Sequence, residues 1–243
     1  MEQASGAGEG GAGYSLCLSP SYSWIGRMVR LVPGARGWLE REKTREADIE
    51  IRRYVSSLLS QAVAELEDAR SRVASAAGRQ WLASAALIPG LPGSQAPLPP
   101  PGLGDRIASL SSLARDLSSS ILYADSGWAP VSAARKITRE EILRLCSYDD
   151  TMIGLAEAVR ELSRRLRRSV ELGDWQAAGS LAAELAEALE KLRALYDERR
   201  RFIQLASHQG KGFAERVREA IGGALEEARA LLSRLASRLG LRP

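Results

Sequence analysis

One histidine, two cysteines, three methionines, two phenylalanines and no asparagine leave this chain poor in the side chains that perform chemistry. Cys17 stands in a Gly/Ser-rich tail and Cys146 in a predicted helix, an arrangement that fits a reducing compartment and no metal-binding motif. With His208 as the only imidazole, too few ligands remain for a histidine-bearing zinc site. The absence of any Glu-x-x-His sequence removes the commonest di-iron site of helical bundles. No catalytic, cofactor or metal site is expected. No apolar run approaches the ~18–20 residues that cross a bilayer; the longest, Trp81 to Ile88, is far shorter. The first twenty residues lack both a basic n-region and an apolar h-region, so a secretory signal is not expected. The reading is of a soluble, cytoplasmic protein. Four lysines stand against thirty arginines. Loss of thermolabile side chains together with dense Arg/Glu pairing favours a thermophilic source, although GC-rich coding also enriches arginine.

What the chain does have is helical periodicity. Leu, Val, Ile and Ala recur three and four residues apart between Arg and Glu over long stretches, the pattern of amphipathic helices packed side by side. The predicted fold is all-α: an elongated helical bundle with coiled-coil-like long helices and a central antiparallel αα-hairpin, 138–172 against 174–208. Residues 1–20 form a disordered Gly-rich tail, because they cannot bury enough surface to offset ordering entropy. Residues 21–88 hold a short amphipathic helix, Tyr22 to Val32, and a first long helix from about Arg36 to about Ala77, with Gly78 breaking or bending it. Residues 89–104 are a Pro/Gly-rich linker. Residues 105–243 form a helical bundle that packs with 36–77 as one domain.

Within that bundle, Thr138 and Glu141 make a capping box before helix four. Gly173 suits a helix C′ position and Asp174 an N-cap, so the chain should reverse there. Helix six carries a seam of Phe213, Val217, Ile221, Ala224, Ala228, Leu231 and Leu235. That seam must be covered by the bundle or by a second copy, which would make a homodimer.

Candidate interaction residues are Trp24 and Met28, on the short amphipathic stretch, and the cluster Arg164, Arg165, Arg167 and Arg168. The arginines could grip phosphates or an anionic membrane surface. Reversal around Gly173-Asp174 instead predicts local answers, Arg160 near Glu187 and Arg164 near Glu184, with Glu161 and Arg165 an i,i+4 pair. A solvated, salt-bridged face is favoured. Arg199-Arg200-Arg201 follows Asp197-Glu198 and reads the same way. The net charge of +4 is modest, and the aromatic–basic interleaving of single-strand binders is missing, so nucleic-acid binding has little support. His208, near the end of helix five, has no partner nucleophile or carboxylate in sequence and reads as a structural or surface residue. The glycine-rich stretch 4–13 fails as a phosphate loop, since no strand precedes it and no Gly-Lys-Ser/Thr follows.

One charge pair stands apart. Asp149 occupies an apolar position between Leu145 and Met152, and Arg199 does the same between Leu195 and Phe202. The reversal sets them at one level, so a structural ion pair between Asp149 and Arg199 is expected, with solvent exposure of both as the alternative.

Several segments resemble an uncharacterised family of archaeal and bacterial all-helical proteins. They are Pro33-Gly34 with Gly37, the run Glu42-Lys43-Thr44-Arg45-Glu46-Ala47-Asp48, the surroundings of Tyr123, Gly127 and Trp128, and Tyr148-Asp149. The similarity spans roughly residues 30–205, and the proline-rich stretch 89–104 departs from it. The resemblance implies an all-helical fold and carries over no activity, cofactor or catalytic residue. The functional expectation is a non-enzymatic scaffold or adaptor acting through protein–protein contacts. A nucleic-acid or anionic-membrane-surface binder using the arginine-rich faces is the alternative.

Overall fold

The computed structural model describes residues 44–85, 98–123, 139–207 and 223–241. These residues form five helices and no strand: α1 (Thr44–Ala85), α2 (Leu103–Tyr123), α3 (Arg139–Leu172), α4 (Trp175–Ser207) and α5 (Gly223–Leu239). The Gly-rich tail, the short amphipathic stretch with Trp24 and Met28, the Thr138 cap, His208 and the Phe213–Ile221 part of the helix-six seam lie outside the described residues.

On α1, Ala47, Ile51, Val55, Leu58, Ala62, Leu66, Ala69 and Val73 are all buried, stepping by three or four residues. That spacing keeps one stripe facing the neighbouring helices. Each large side chain in it contributes roughly 1.5–3 kcal/mol by leaving water. The helix continues through Gly78 to Ala85, where a break or a bend was expected. A glycine costs a helix only about 1 kcal/mol relative to alanine, and the Ala, Arg and Gln around it are good helix formers. At the other junction, α2 begins at Leu103, inside the expected linker, and Leu103 is buried. Gly102, at φ 82°, makes the turn into it, and its carbonyl accepts from the Arg106 amide at 2.9 Å.

The directions of the helices follow from their contacts. Glu67 meets Ser111 and Ser56 meets Ser118, so α2 runs against α1. Arg167 reaches Glu65 and Glu171 reaches Arg72, so α3 runs with α1. The two-residue turn at Gly173 and Asp174 sends α4 back along α3, and Tyr148 near the start of α3 meets Phe202 near the end of α4 with ring centroids 6.0 Å apart, so α4 runs against α3. Glu184 pairs with Arg238 and Lys191 with Glu227, so α5 runs against α4. The central element is α3, which packs on α1, α4 and α5. From Thr151 to Ala156 every residue of it is buried. Gly154 makes room there, since a Cβ on it would sit 2.6 Å from Leu232 Cδ2 of α5.

The turn between α3 and α4 is two residues long. Gly173 has φ 72°, its amide donates to the Val170 carbonyl at 3.1 Å, and the Asp174 amide donates to Ser169 at 2.9 Å. This is the paired-bond stop that a left-handed C′ glycine permits. Asp174 then opens α4, accepting the Ala177 amide on Oδ1 at 3.0 Å. The same stop recurs at Gly240, φ 68°, where the Leu241 amide donates to Ala236.

Because α5 lies along both α3 and α4, two expected ion pairs are replaced. Glu187 pairs with Arg234 and Glu184 with Arg238, both on α5, rather than with Arg160 and Arg164. Of the expected helix-six seam, Ala228, Leu231 and Leu235 are buried within the same chain, whereas Ala224 is half-buried and its neighbour Leu225 takes the buried place.

Candidate functional site

The N-terminal ends of α1, α3 and α5 and the C-terminal ends of α2 and α4 gather at one end of the bundle, and a buried polar layer ties them. Its centre is Arg199 of α4, 2 % exposed. Nε donates to Asp149 Oδ1 on α3 at 2.6 Å, and Nη2 donates to Asp48 Oδ1 on α1 at 2.6 Å. Asp48 also takes Arg52 Nε on Oδ2 at 3.0 Å, and Arg52 Nη1 donates to the Ile121 carbonyl at the end of α2, 3.2 Å away. Two carboxylates and two guanidinium groups therefore join four helices with no net charge. Such mutual neutralisation is what allows four ions to leave water together.

Two further contacts extend the layer. Tyr196 of α4 donates its hydroxyl to the Ser120 carbonyl of α2 at 3.1 Å. Glu198, 6 % exposed, accepts the Tyr148 hydroxyl on Oε1 at 2.6 Å and the Ala224 amide on Oε2 at 2.9 Å. Ala224 lies in the first turn of α5, whose amides have no carbonyl partner within the helix. A carboxylate placed there satisfies a donor and complements the positive end of the helix dipole.

The two aspartates differ in how well they are served. Asp48 has two guanidinium partners. Asp149 is completely buried, receives one hydrogen bond, and its Oδ2 has no donor. Burial pushes its carboxyl up to about 6 against the opposing pull of Arg199, and the charges of Asp48 and Asp150 add to the rise. Arg199 is itself held above the ordinary arginine range, its desolvation outweighed by the two aspartates. Burial and the Glu198 carboxylate likewise drive the Tyr148 hydroxyl well above the usual tyrosine value.

The arginine cluster on α3 is largely answered within the chain. Arg164 donates to Glu161 at 3.0 Å, and Arg165 donates both to Glu161 at 3.0 Å and to the Leu239 carbonyl at 2.8 Å. Burial works to raise Glu161, but the hydrogen bonds from Arg164 and Arg165 hold it below the usual glutamate value. Arg167 contacts Glu65, Asp68 and Glu171. Arg168 is exposed. Cys146 is buried, and among the described residues the exposed large apolar side chains are Leu98, Tyr123 and Leu172. Among the described residues no group of three or more His, Cys, Asp or Glu is placed to hold a metal ion. No described helix is long and apolar enough to cross a membrane.

Sequence reasoning missed Asp48, Arg52 and the bridging role of Glu198. Asp48 and Arg52 are four apart with the acid first, which reads as an ordinary surface pair. The available signal was their place beside Ala47, Ile51 and Val55, at the edge of the apolar stripe. Comparison with protein-family models, with curated proteins and with solved structures finds no match.

Proposed function

We propose that the protein is a non-enzymatic scaffold or adaptor that works through protein–protein contacts. On this reading it is an elongated bundle of coiled-coil-like helices built on an antiparallel αα-hairpin, 138–172 against 174–208, and belongs with the uncharacterised all-helical family its segments resemble. The observation that carries it is where the ionic side chains spend their charge. Arg164, Arg165 and Arg167 are engaged by Glu161, Glu65, Asp68 and Glu171. Arg199, Asp149 and Asp48 are sealed inside, where they join helices and meet no solvent. A chain that invests its charge in fixing its own helices presents a rigid surface, which suits recruitment. Trp24, Met28 and the exposed Arg168 are the residues offered to a partner, and helix six is the segment through which a homodimer would form.

The alternative, a binder of nucleic acid or anionic membrane, needs those arginines to exchange carboxylates for phosphates. Two measurements on the full chain separate the readings. Affinity capture is run with the native protein and with Trp24→Ser/Met28→Ser. A defined protein partner lost with that variant supports the scaffold. Electrophoretic shift and flotation on vesicles containing phosphatidylserine test the alternative. Binding at physiological salt that Arg164→Glu/Arg168→Glu abolishes, with no protein partner captured, overturns the scaffold reading.

A further inference from the structure

The buried layer has an asymmetry that a purely structural ion network would not need. One guanidinium serves two carboxylates. Asp48 has Arg52 on its second oxygen, whereas Asp149 Oδ2 is buried with no donor. Carboxylates that stay ionised in protein interiors ordinarily accept two or three N–H bonds. Asp149 accepts one, at 2.6 Å from Arg199 Nε.

Its charged and titratable surroundings are few. Asp48 and Arg52 approach from α1, Asp150, Arg144 and Tyr148 stand beside it on α3, and Arg199, Glu198 and Tyr196 come from α4. Arg229 of α5, paired with Glu226, reaches Ser147. From α2 the layer receives the carbonyls of Ser120 and Ile121. Arg52 already serves Asp48 and the Ile121 carbonyl, and Arg199 divides its donors between Asp48 and Asp149. The oxygen with no donor is therefore the place in the layer where one added proton relieves the most unfavourable burial of charge.

We propose that Asp149 is a proton-uptake site, and that mild acidification clamps the end of the bundle where the five helices are tied. Protonation at Oδ2 leaves Oδ1 to accept from Arg199 and turns a buried carboxylate into a neutral acid. The folded state then carries a proton that the unfolded chain does not hold until the pH is lower. The sign is opposite to ordinary acid denaturation. The carboxyl sits near 6 when folded and at 3.8 when free. Its contribution to stability is thus fully present below the lower value and is lost as the pH rises through the upper one. The span of about two pH units corresponds to about a hundredfold in the unfolding constant.

The full chain and its Asp149→Asn variant, which mimics the protonated acid, are unfolded in urea at steps between pH 4 and 7.5 and followed by circular dichroism. The ratio of unfolding constants, native over variant, is expected to rise by about sixtyfold across that range, part of the full effect lying below pH 4. A flat or falling ratio overturns the proposal. Should the variant fail to fold, the assigned Asp149 carboxyl carbon is titrated by NMR in the native protein. A midpoint at or above about 5 supports proton uptake, and a lower one refutes it.

Discussion

Breaking the Arg199 bridge is the most informative perturbation of this protein. Arg199→Leu removes the sole donor to Asp149, while Asp48 keeps Arg52. Orphaning one partner of a buried pair ordinarily costs about 3–5 kcal/mol. Here the lower half of that range is expected, because Asp149 can escape its charge by taking a proton. Asp149→Ala is milder. Arg199 retains Asp48 at 2.6 Å, so the loss is about 1.5–3 kcal/mol, the value of a hydrogen bond to a charged group. With both residues replaced, Asp48 and Arg52 remain as a balanced pair and no charge is stranded. The double mutant should therefore recover about 0.5–3 kcal/mol of the summed losses, the range found for contacting residues. Urea unfolding of the four proteins at pH 7.5, with a shared slope, yields that coupling directly. Losses that simply add would show that the two side chains do not depend on each other, and the description of the layer as one cooperative unit would fail.

Four further outcomes are expected. Glu198→Ala strips the Ala224 amide and the Tyr148 hydroxyl of their acceptor and should cost about 1–3 kcal/mol, with hydrogen exchange rising first in the opening turn of α5. Gly78→Ala, where an added methyl meets nothing within 4 Å, should stabilise by about 0.5–1 kcal/mol, whereas Gly154→Ala, which drives a Cβ into Leu232, should destabilise by about 1–3 kcal/mol in thermal unfolding and be partly rescued by Leu232→Ala. Glu161→Ala frees Arg164 and Arg165 from their shared carboxylate, so retention of the protein on heparin should shift to higher salt; unchanged retention would mean that Glu161 does not hold those arginines in solution.

The helices were legible because a three-four spacing of Leu, Ile and Ala has one efficient solution in water, and Gly173-Asp174 spells a stop and a start in adjacent residues. The charges facing apolar neighbours at 149 and 199 were legible for the same reason, since both interrupt a seam. Asp48 and Arg52 were not, because an acid and a base four residues apart look alike on a wet surface and at a helix junction; only the third helix decides which. The ion pairs across α3 and α4 were misassigned because a two-helix calculation leaves no room for α5, whose Arg234 and Arg238 take Glu187 and Glu184. The continuation of α1 past Gly78 was hidden because glycine weakens a helix without forbidding it.

The buried polar layer also bears on which arrangements the chain avoids. Seams of Leu and Ala repeating every three and four residues look nearly the same after one helix slides past another by a turn, about 5.4 Å. Apolar packing alone would leave such shifted bundles close in energy to the native one. A slide of α4 by a single turn would carry Arg199 away from Asp149 and Asp48 together, and would draw Glu198 off the first turn of α5. Three unmatched ions would then sit in a dry interior. The aspartates and arginine thus act less as glue than as a parity check, opening an energy gap between one alignment and its near-copies.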